Sequence, residues 1–119
     1  TLTKAAEVLS DPQWLEQAKA SGELIWEKGL LCTSMSLCHG IAGNTYSLLN
    51  LWRATGDDKY LVMAKQFCSF SQQDELMASM RTPDSQYALF EGKAGVAVFY
   101  ADMIKPEQAR FPAFEEESN

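Results

Sequence analysis

Positive charge is sparse and scattered in this sequence. Its 119 residues contain 10 lysines and arginines against 16 aspartates and glutamates, and no two of the basic residues are adjacent. Nucleic-acid surfaces need clustered cations to displace the counterions around phosphate, and anionic membranes attract polybasic segments. The sequence therefore excludes a nucleic-acid partner and a polybasic membrane patch.

Long apolar runs are also missing. The longest nearly uncharged one covers only residues 94–104 and contains Asp102, whereas a membrane-spanning helix needs about 20 apolar residues. The sequence therefore predicts no transmembrane segment. Disorder is excluded as well, because 46% of the residues are hydrophobic and 11% are aromatic.

Cysteine and histidine are rare. Three cysteines make an odd number, and no cationic start followed by an apolar stretch marks a signal peptide. Both features predict a reducing, cytoplasmic compartment. Because the chain starts at Thr1 rather than at a methionine, we expect a piece of a longer protein. That expectation leaves room for membrane association through an N-terminal region absent here.

Two pairs of segments repeat in the same order along the chain. Residues 11–19 and 57–65 share an aspartate, an aromatic residue, a leucine, an alanine and a lysine in register. Residues 37–43 and 89–95 share a leucine and the pattern G-x-A-G. The sequence therefore predicts an internal duplication.

Each repeat begins with a segment that predicts an amphipathic helix. Residues 11–28 place their apolar side chains on one stripe, with Asp11 as the N-cap, Pro12 in the first turn and Gly29 as the stop. Residues 57–72 repeat this arrangement, and Cys68 falls on the stripe that we expect to face the core.

A second kind of segment is apolar nearly all round. Residues 41–55 and 96–101 predict helices that are buried on all sides, inside a layer of the amphipathic ones. For residues 96–100 a short strand is the alternative, since β-branched and aromatic residues favour sheets. Residues 74–90 are expected to form a long connection with a turn at residues 83–84.

The G-x-A-G pattern stands at the start of both apolar helices. Small residues there let two backbones approach closely, which is the structural interpretation. The functional interpretation is that they leave the first N–H groups of the helix open to an anion or a thiolate. The sequence leaves both open.

Cys38 and His39 stand side by side before the first of these patterns. Zinc accepts thiolate sulfur and imidazole nitrogen, and Gly40 gives the junction freedom to aim both at one ion. A buried thiol beside a hydrogen-bonded histidine is the alternative. Two ligands do not complete a site, and Cys32 is a candidate for a third.

Three motifs, taken in order, resemble the C-terminal part of eukaryotic LanC-like proteins, relatives of the bacterial lanthionine synthetase cyclases. They are LCHGIAGN at residues 37–44, PDSQYALFEGKAG at residues 83–95 and ARFPAF at residues 109–114. The resemblance implies an all-α fold, namely the last two to three hairpins of a single α/α toroid domain over residues 1–119. The acidic run predicts a solvated tail at residues 115–119.

The resemblance also implies a metal site. The family holds one zinc ion with two cysteines and one histidine, and Cys38 and His39 match the second cysteine and the histidine. The first cysteine would lie upstream of Thr1, which makes Cys32 a poor substitute for it.

The implied reaction adds the thiol of glutathione, or of a peptide cysteine, to a dehydroalanine or dehydrobutyrine residue in a protein or peptide. Arg81 matches a family arginine at the glutathione site, whereas Thr33 stands where the family has a lysine. Glu91 occupies the position of His39 in the repeat. We predict it as a substrate-side contact, with an acid/base role or a hydrogen bond to the neighbouring helix start as alternatives.

The acid/base residues of the family lie in earlier repeats, so we assign no catalytic residue and expect the fragment alone to be inactive, to expose apolar surface and to fold poorly. A non-catalytic zinc- and glutathione-binding signalling module is the alternative function. A carbohydrate-active α/α toroid is a weaker one, because Asp84 and Glu91 are the only nearby carboxylate pair.

Overall fold

A computed structural model describes residues 1–115 as six helices without a strand, so the predicted all-α class is confirmed. Of the predicted acidic tail, residues 116–119 lie outside the described part. The helices are α1 (Leu2–Leu9), α2 (Pro12–Lys28), α3 (Ile41–Thr55), α4 (Asp58–Ser71), α5 (Asp74–Ser79) and α6 (Lys93–Ile104).

The two amphipathic helices begin at aspartate caps, as predicted. The carboxylate of Asp11 accepts a hydrogen bond of 2.9 Å from the backbone N–H of Gln13, and that of Asp57 accepts one of 3.0 Å from Lys59. Each bond satisfies one of the N–H groups that a helix start leaves free. Helix α2 then ends at Gly29, and Cys68 is buried in the core-facing stripe of α4.

Helix α3 forms the centre of the core and packs against α2 and α4. Its apolar residues fill most of its sides, whereas Ser47 and Ala54 are exposed and lie on one partly solvated face. The buried hydrophobic residues of α3 are Ile41, Ala42, Tyr46, Leu48, Leu49 and Leu51. The helix is central, as predicted, but the prediction that it is buried on all sides is wrong at Ser47 and Ala54.

Helix α6 is less enclosed than its sequence predicts. Residues 96–100 are helical, so the strand alternative is wrong. Only Gly95 and Phe99 are buried, however, and Ile104 is 79% exposed. Among residues 1–115, α6 packs against α4 and against the side chain of Tyr46, which leaves its other side uncovered.

Two helices were not predicted. Helix α1 is short, buries none of its residues fully and ends where Ser10 adopts the left-handed conformation, with φ of 52°. Helix α5 occupies the start of the segment that we expected to be a connection, and it is only six residues long. No helix in the described part of the chain is long and apolar enough to cross a membrane.

Glu115 contradicts the expectation of a solvated tail. Its side chain is only 22% exposed, and its carboxylate lies 3.0 Å from the guanidinium of Arg53, in the last turn of α3. The physical reason is that residues 105–115 fold back against α3 instead of extending into solvent, so that this carboxylate meets a half-buried cation.

Candidate functional site

The G-x-A-G patterns bring backbone against backbone. A Cβ atom added to Gly43 would overlap the carbonyl oxygen of Leu37, and one added to Gly95 would overlap the carbonyl oxygen of Leu89. The two contacts occupy equivalent positions in the two repeats. The structural interpretation of the pattern therefore holds, and it explains why each helix start lies against the loop that precedes it.

Two of the N–H groups at the start of α3 are already bonded. The N–H of Ile41 donates to the carbonyl of Ser34 at 3.1 Å, and that of Gly43 donates to the carbonyl of Ser36 at 3.3 Å. These donors are therefore not open to an anion, and the expectation that they would be reachable is wrong at both positions. The side chains of this region are therefore the remaining candidates for its chemistry.

Cys38 and His39 lie together in the segment that leads into α3, which we call the CHG loop (residues 34–40). Their Sγ and Nδ1 atoms are 2.8 Å apart, and both residues are exposed. The turn geometry of residues 37–39 allows two adjacent side chains to converge, which a regular helix or strand would prevent. The two donor atoms are therefore neighbours, and their binding to one metal ion stays a prediction.

Two serines hold this loop, and sequence reasoning missed both. Ser36 is 1% exposed, and its Oγ accepts from the N–H of His39 at 3.3 Å and lies 3.7 Å from the Sγ of Cys38. Ser34 Oγ in turn accepts from the N–H of Ser36 at 3.0 Å. The signal was the alternation of serines at residues 34 and 36, since short hydroxyl side chains commonly bond nearby backbone in loops.

Phe90 ties the CHG loop to the second repeat. Its carbonyl oxygen accepts from the N–H of Leu37 at 2.9 Å and from the N–H of Cys38 at 3.1 Å. The backbone of one candidate ligand is thus held from a segment about fifty positions away. A single sequence carries no signal for such a contact, because it depends on how the repeats pack.

The donor set of the loop suits zinc. Zinc binds sulfur at about 2.3 Å and nitrogen at about 2.0 Å, so two ligands at tetrahedral angles lie about 3.5 Å apart. Cys38 and His39 are slightly closer than this, and a small rotation of either exposed side chain opens the pair. Within residues 1–115, however, no group of three or more cysteine, histidine, aspartate or glutamate side chains is placed to hold a metal ion. The thiol of Cys32 instead points to the carbonyl of Leu30, at 3.6 Å.

Arg81 lies beside Thr33. The N–H of Arg81 donates to the carbonyl of Thr33 at 3.1 Å, so two positions that the family resemblance connects with glutathione are neighbours. The guanidinium of Arg81 is exposed, and its only ion pair within residues 1–115 is a long one of 3.8 Å to Asp84. Such an exposed pair contributes little stability and leaves the guanidinium free to bind a carboxylate.

Glu91 is half-buried in the turn before α6, next to Phe90. Its carboxylate makes no hydrogen bond to either helix start in the described part of the chain, so the alternative of a structural acceptor finds no support. Glu91 therefore directly follows Phe90, whose carbonyl holds the backbone of Cys38, and its carboxylate is not used to cap either helix.

The chain matches, over residues 1–116, the family described as "Lanthionine synthetase C-like protein". A protein of Danio rerio named "Glutathione S-transferase LANCL1" is 43% identical over 114 residues, which cover 96% of this chain and 28% of the relative. A protein of Arabidopsis thaliana named "LanC-like protein GCL1" is 37% identical over 120 residues, covering 97% of this chain and 27% of the relative. The chain thus spans little more than a quarter of the length of these two relatives.

Proposed function

Because this chain belongs to the lanthionine synthetase C-like family, we propose that it contributes part of the active site of a zinc-dependent glutathione transferase. The substrate would be a dehydroalanine or dehydrobutyrine residue in a protein or peptide. The observation that carries the proposal is the convergence of Cys38 Sγ and His39 Nδ1, 2.8 Å apart, on a loop anchored in both repeats. The name of the Danio rerio relative, a glutathione S-transferase, supports the choice of thiol.

Cys38 and His39 would hold the metal together with a cysteine upstream of Thr1. Zinc, when bound, supplies a positive charge that keeps a thiol substrate as its thiolate at neutral pH. The loop presents both ligands to solvent while its backbone stays fixed by Ser36 and Phe90. An exposed pair on a rigid loop is the arrangement that an incoming thiol requires.

In the reaction the thiol adds across the carbon–carbon double bond of the dehydroamino acid. The sulfur forms a bond to the β-carbon, the π electrons move towards the α-carbon, and a proton completes the saturated residue there. We propose that Glu91 lies on the substrate side of this site. It directly follows Phe90, whose carbonyl holds the backbone of the CHG loop, and its side chain is half-buried.

Arg81 would bind a carboxylate of glutathione. Its planar guanidinium suits paired hydrogen bonds to a carboxylate, and its exposure leaves it accessible. Thr33 provides a hydroxyl where the family has a lysine, so this chain would bind glutathione with one cation fewer. We place the reaction in the cytoplasm, where three cysteines that form no disulfide with one another remain thiols.

The metal assignment is tested by elemental analysis of the intact protein that carries this chain. We expect one zinc ion per molecule, and loss of that zinc in Cys38→Ala and His39→Ala. Cys32→Ala is the matched control, since it also removes an exposed thiol from the same region but leaves the pair intact. Unchanged zinc in both ligand variants would overturn the proposal.

The glutathione assignment is tested by the kinetics of adduct formation on a dehydroalanine peptide, followed by mass spectrometry. Arg81→Ala should raise the KM for glutathione about tenfold or more, because a charge-assisted hydrogen bond is worth about 1.5–3 kcal/mol. Asp84→Asn is the control, since it removes only the partner of the long ion pair. A KM that is the same in all three proteins would contradict the role of Arg81.

A non-catalytic zinc- and glutathione-binding module is the second candidate, and Thr33 is the residue that favours it. Binding of both ligands by the intact protein without any adduct would support this function over the enzyme. A carbohydrate-active toroid is not favoured, because the Asp84 side chain is 87% exposed and paired with Arg81, unlike a general acid in a cleft.

A further inference from the structure

An ion pair closes the C-terminal segment onto the core. Arg53 Nη2 lies 3.0 Å from Glu115 Oε2, and each side chain is only 22% exposed. Arg53 also donates to the carbonyl of Ala109 at 2.6 Å and to the side chain of Asn50. Burial lowers the pKa of Arg53, and the charge of Glu115 opposes that shift. Arg53 therefore joins α3 to two separate points of residues 105–115.

Glu115 does more than pair with Arg53. The same carboxylate oxygen accepts from the N–H of Phe111 at 2.9 Å. A tight turn makes this possible, in which Ala113 adopts a left-handed conformation with φ of 65°. That conformation is unfavourable for a residue with a side chain, and the hydrogen bond from Phe111 to the Glu115 carboxylate helps to hold the turn in it.

The turn places Phe111 between α3 and the second repeat. Its ring meets the ring of Tyr46 edge-on at 5.4 Å and stacks on the ring of Phe90 at 6.4 Å. Phe114 contacts the ring of Phe90 as well, at 6.1 Å. The aromatic side chains of the C-terminal turn therefore pack against the ring of Phe90.

Phe90 is also the residue whose carbonyl accepts from the N–H groups of Leu37 and Cys38. We propose that the Arg53–Glu115 ion pair positions the CHG loop, acting through Phe111 and Phe90. Its role is to hold the backbone of Cys38 in place, so both residues are positioning residues without contact to substrate. The consequence for the metal rests on the function proposed above, whereas the consequence for the loop does not.

The loop is tested by hydrogen exchange at the amides of Leu37 and Cys38 in the intact protein without metal. Glu115→Gln keeps the shape of the side chain and removes its charge. We expect exchange at the two amides to become about tenfold faster, while the amides of α2 stay within about twofold. Glu107→Gln is the matched control, because it removes an exposed carboxylate from the same segment.

The proposal is overturned by either of two results: unchanged exchange at Leu37 and Cys38, or faster exchange of equal size throughout the protein. The second result would mean that the ion pair only stabilises the fold. Should Glu115→Gln fail to fold, Phe111→Leu serves instead. It keeps the ion pair and removes the ring contact with Phe90, and we expect the same local increase in exchange.

Metal affinity gives the second readout. The dissociation constant for cobalt(II), used as a spectroscopic substitute for zinc, should rise about tenfold in Glu115→Gln, as is usual when support of a metal ligand is lost. If the dissociation constant for cobalt(II) is unchanged while hydrogen exchange at Leu37 and Cys38 is faster, the ion pair positions the loop but does not affect metal binding, and that part of the proposal is overturned. If Cys38→Ala also leaves cobalt binding unchanged, the proposed function fails, and hydrogen exchange still decides the role of the ion pair.

Discussion

Gly43→Ala tests the packing on which the candidate site depends. In α3 the added methyl group would overlap the carbonyl oxygen of Leu37, the residue directly before Cys38. That oxygen belongs to the backbone, so it cannot rotate away as a flexible side chain can. Either α3 or the CHG loop must move.

The expected size follows from two opposing effects. Replacing glycine by alanine inside a helix is favourable by about 1 kcal/mol, because less backbone freedom is lost on folding. Overpacking of a close contact costs typically about 1–3 kcal/mol, and a clash with fixed backbone falls at or above the upper end of that range. We therefore expect the free energy of unfolding of Gly43→Ala to fall by about 2 kcal/mol.

Gly22→Ala is the control for this experiment. It is the same substitution within a helix, but its methyl group would meet the end of the flexible Leu51 side chain and the ring of Tyr60. We expect a change within about 1 kcal/mol, because the gain in helix propensity offsets a small side-chain movement. Urea denaturation of the intact protein, followed by circular dichroism, measures both variants. A Gly43→Ala protein as stable as the wild type would refute the close-contact explanation of the G-x-A-G pattern.

Three further predictions concern the core and a helix start. Burial and the 2.5 Å hydrogen bond to Asp102 raise the pKa of Tyr46, so its hydroxyl stabilises the fold fully below about pH 10 and progressively less above it. Tyr46→Phe should therefore lower the free energy of unfolding by about 1 kcal/mol at neutral pH. In urea titrations at alkaline pH, the stability of this variant should fall less steeply with pH than that of the wild type, and an equally steep fall would contradict this. Burial likewise raises the pKa of the Cys68 thiol, so iodoacetamide at neutral pH should alkylate the exposed Cys32 first, and equal rates by mass spectrometry would count against the packing of α4. Asp57→Ala should cost about 1 kcal/mol in urea denaturation through loss of the N-cap bond, whereas a neutral result would show that another group caps α4.

Local signals were sufficient for most helices. Helix α2 begins after Asp11, with Pro12 in its first turn, and ends at Gly29, as predicted. Such signals can be read locally, because helix caps and stops act within one or two turns of the chain. Helix α1 escaped prediction since it is short and buries none of its residues fully, so that its periodicity is brief. Helix α5 escaped because a segment of six residues is too short for a periodic pattern to emerge.

The candidate site divides in the same way. Adjacent Cys38 and His39 were visible as a pair of zinc-binding residue types, and their convergence needed only the freedom of a turn. Arg81 could be selected through the family resemblance, but its position beside Thr33 became visible only in the fold. A zinc ligand upstream of Thr1 stays a prediction.

By itself, then, the sequence determined the residue types, the helix starts and the repeated glycines, because each of these acts through neighbours along the chain. Only the tertiary structure decided that Phe90 holds Cys38 and that Glu115 closes onto Arg53. The physical reason is that a hydrogen bond or an ion pair between distant segments depends on where packing places them. Packing is a property of the whole core rather than of any short stretch of sequence.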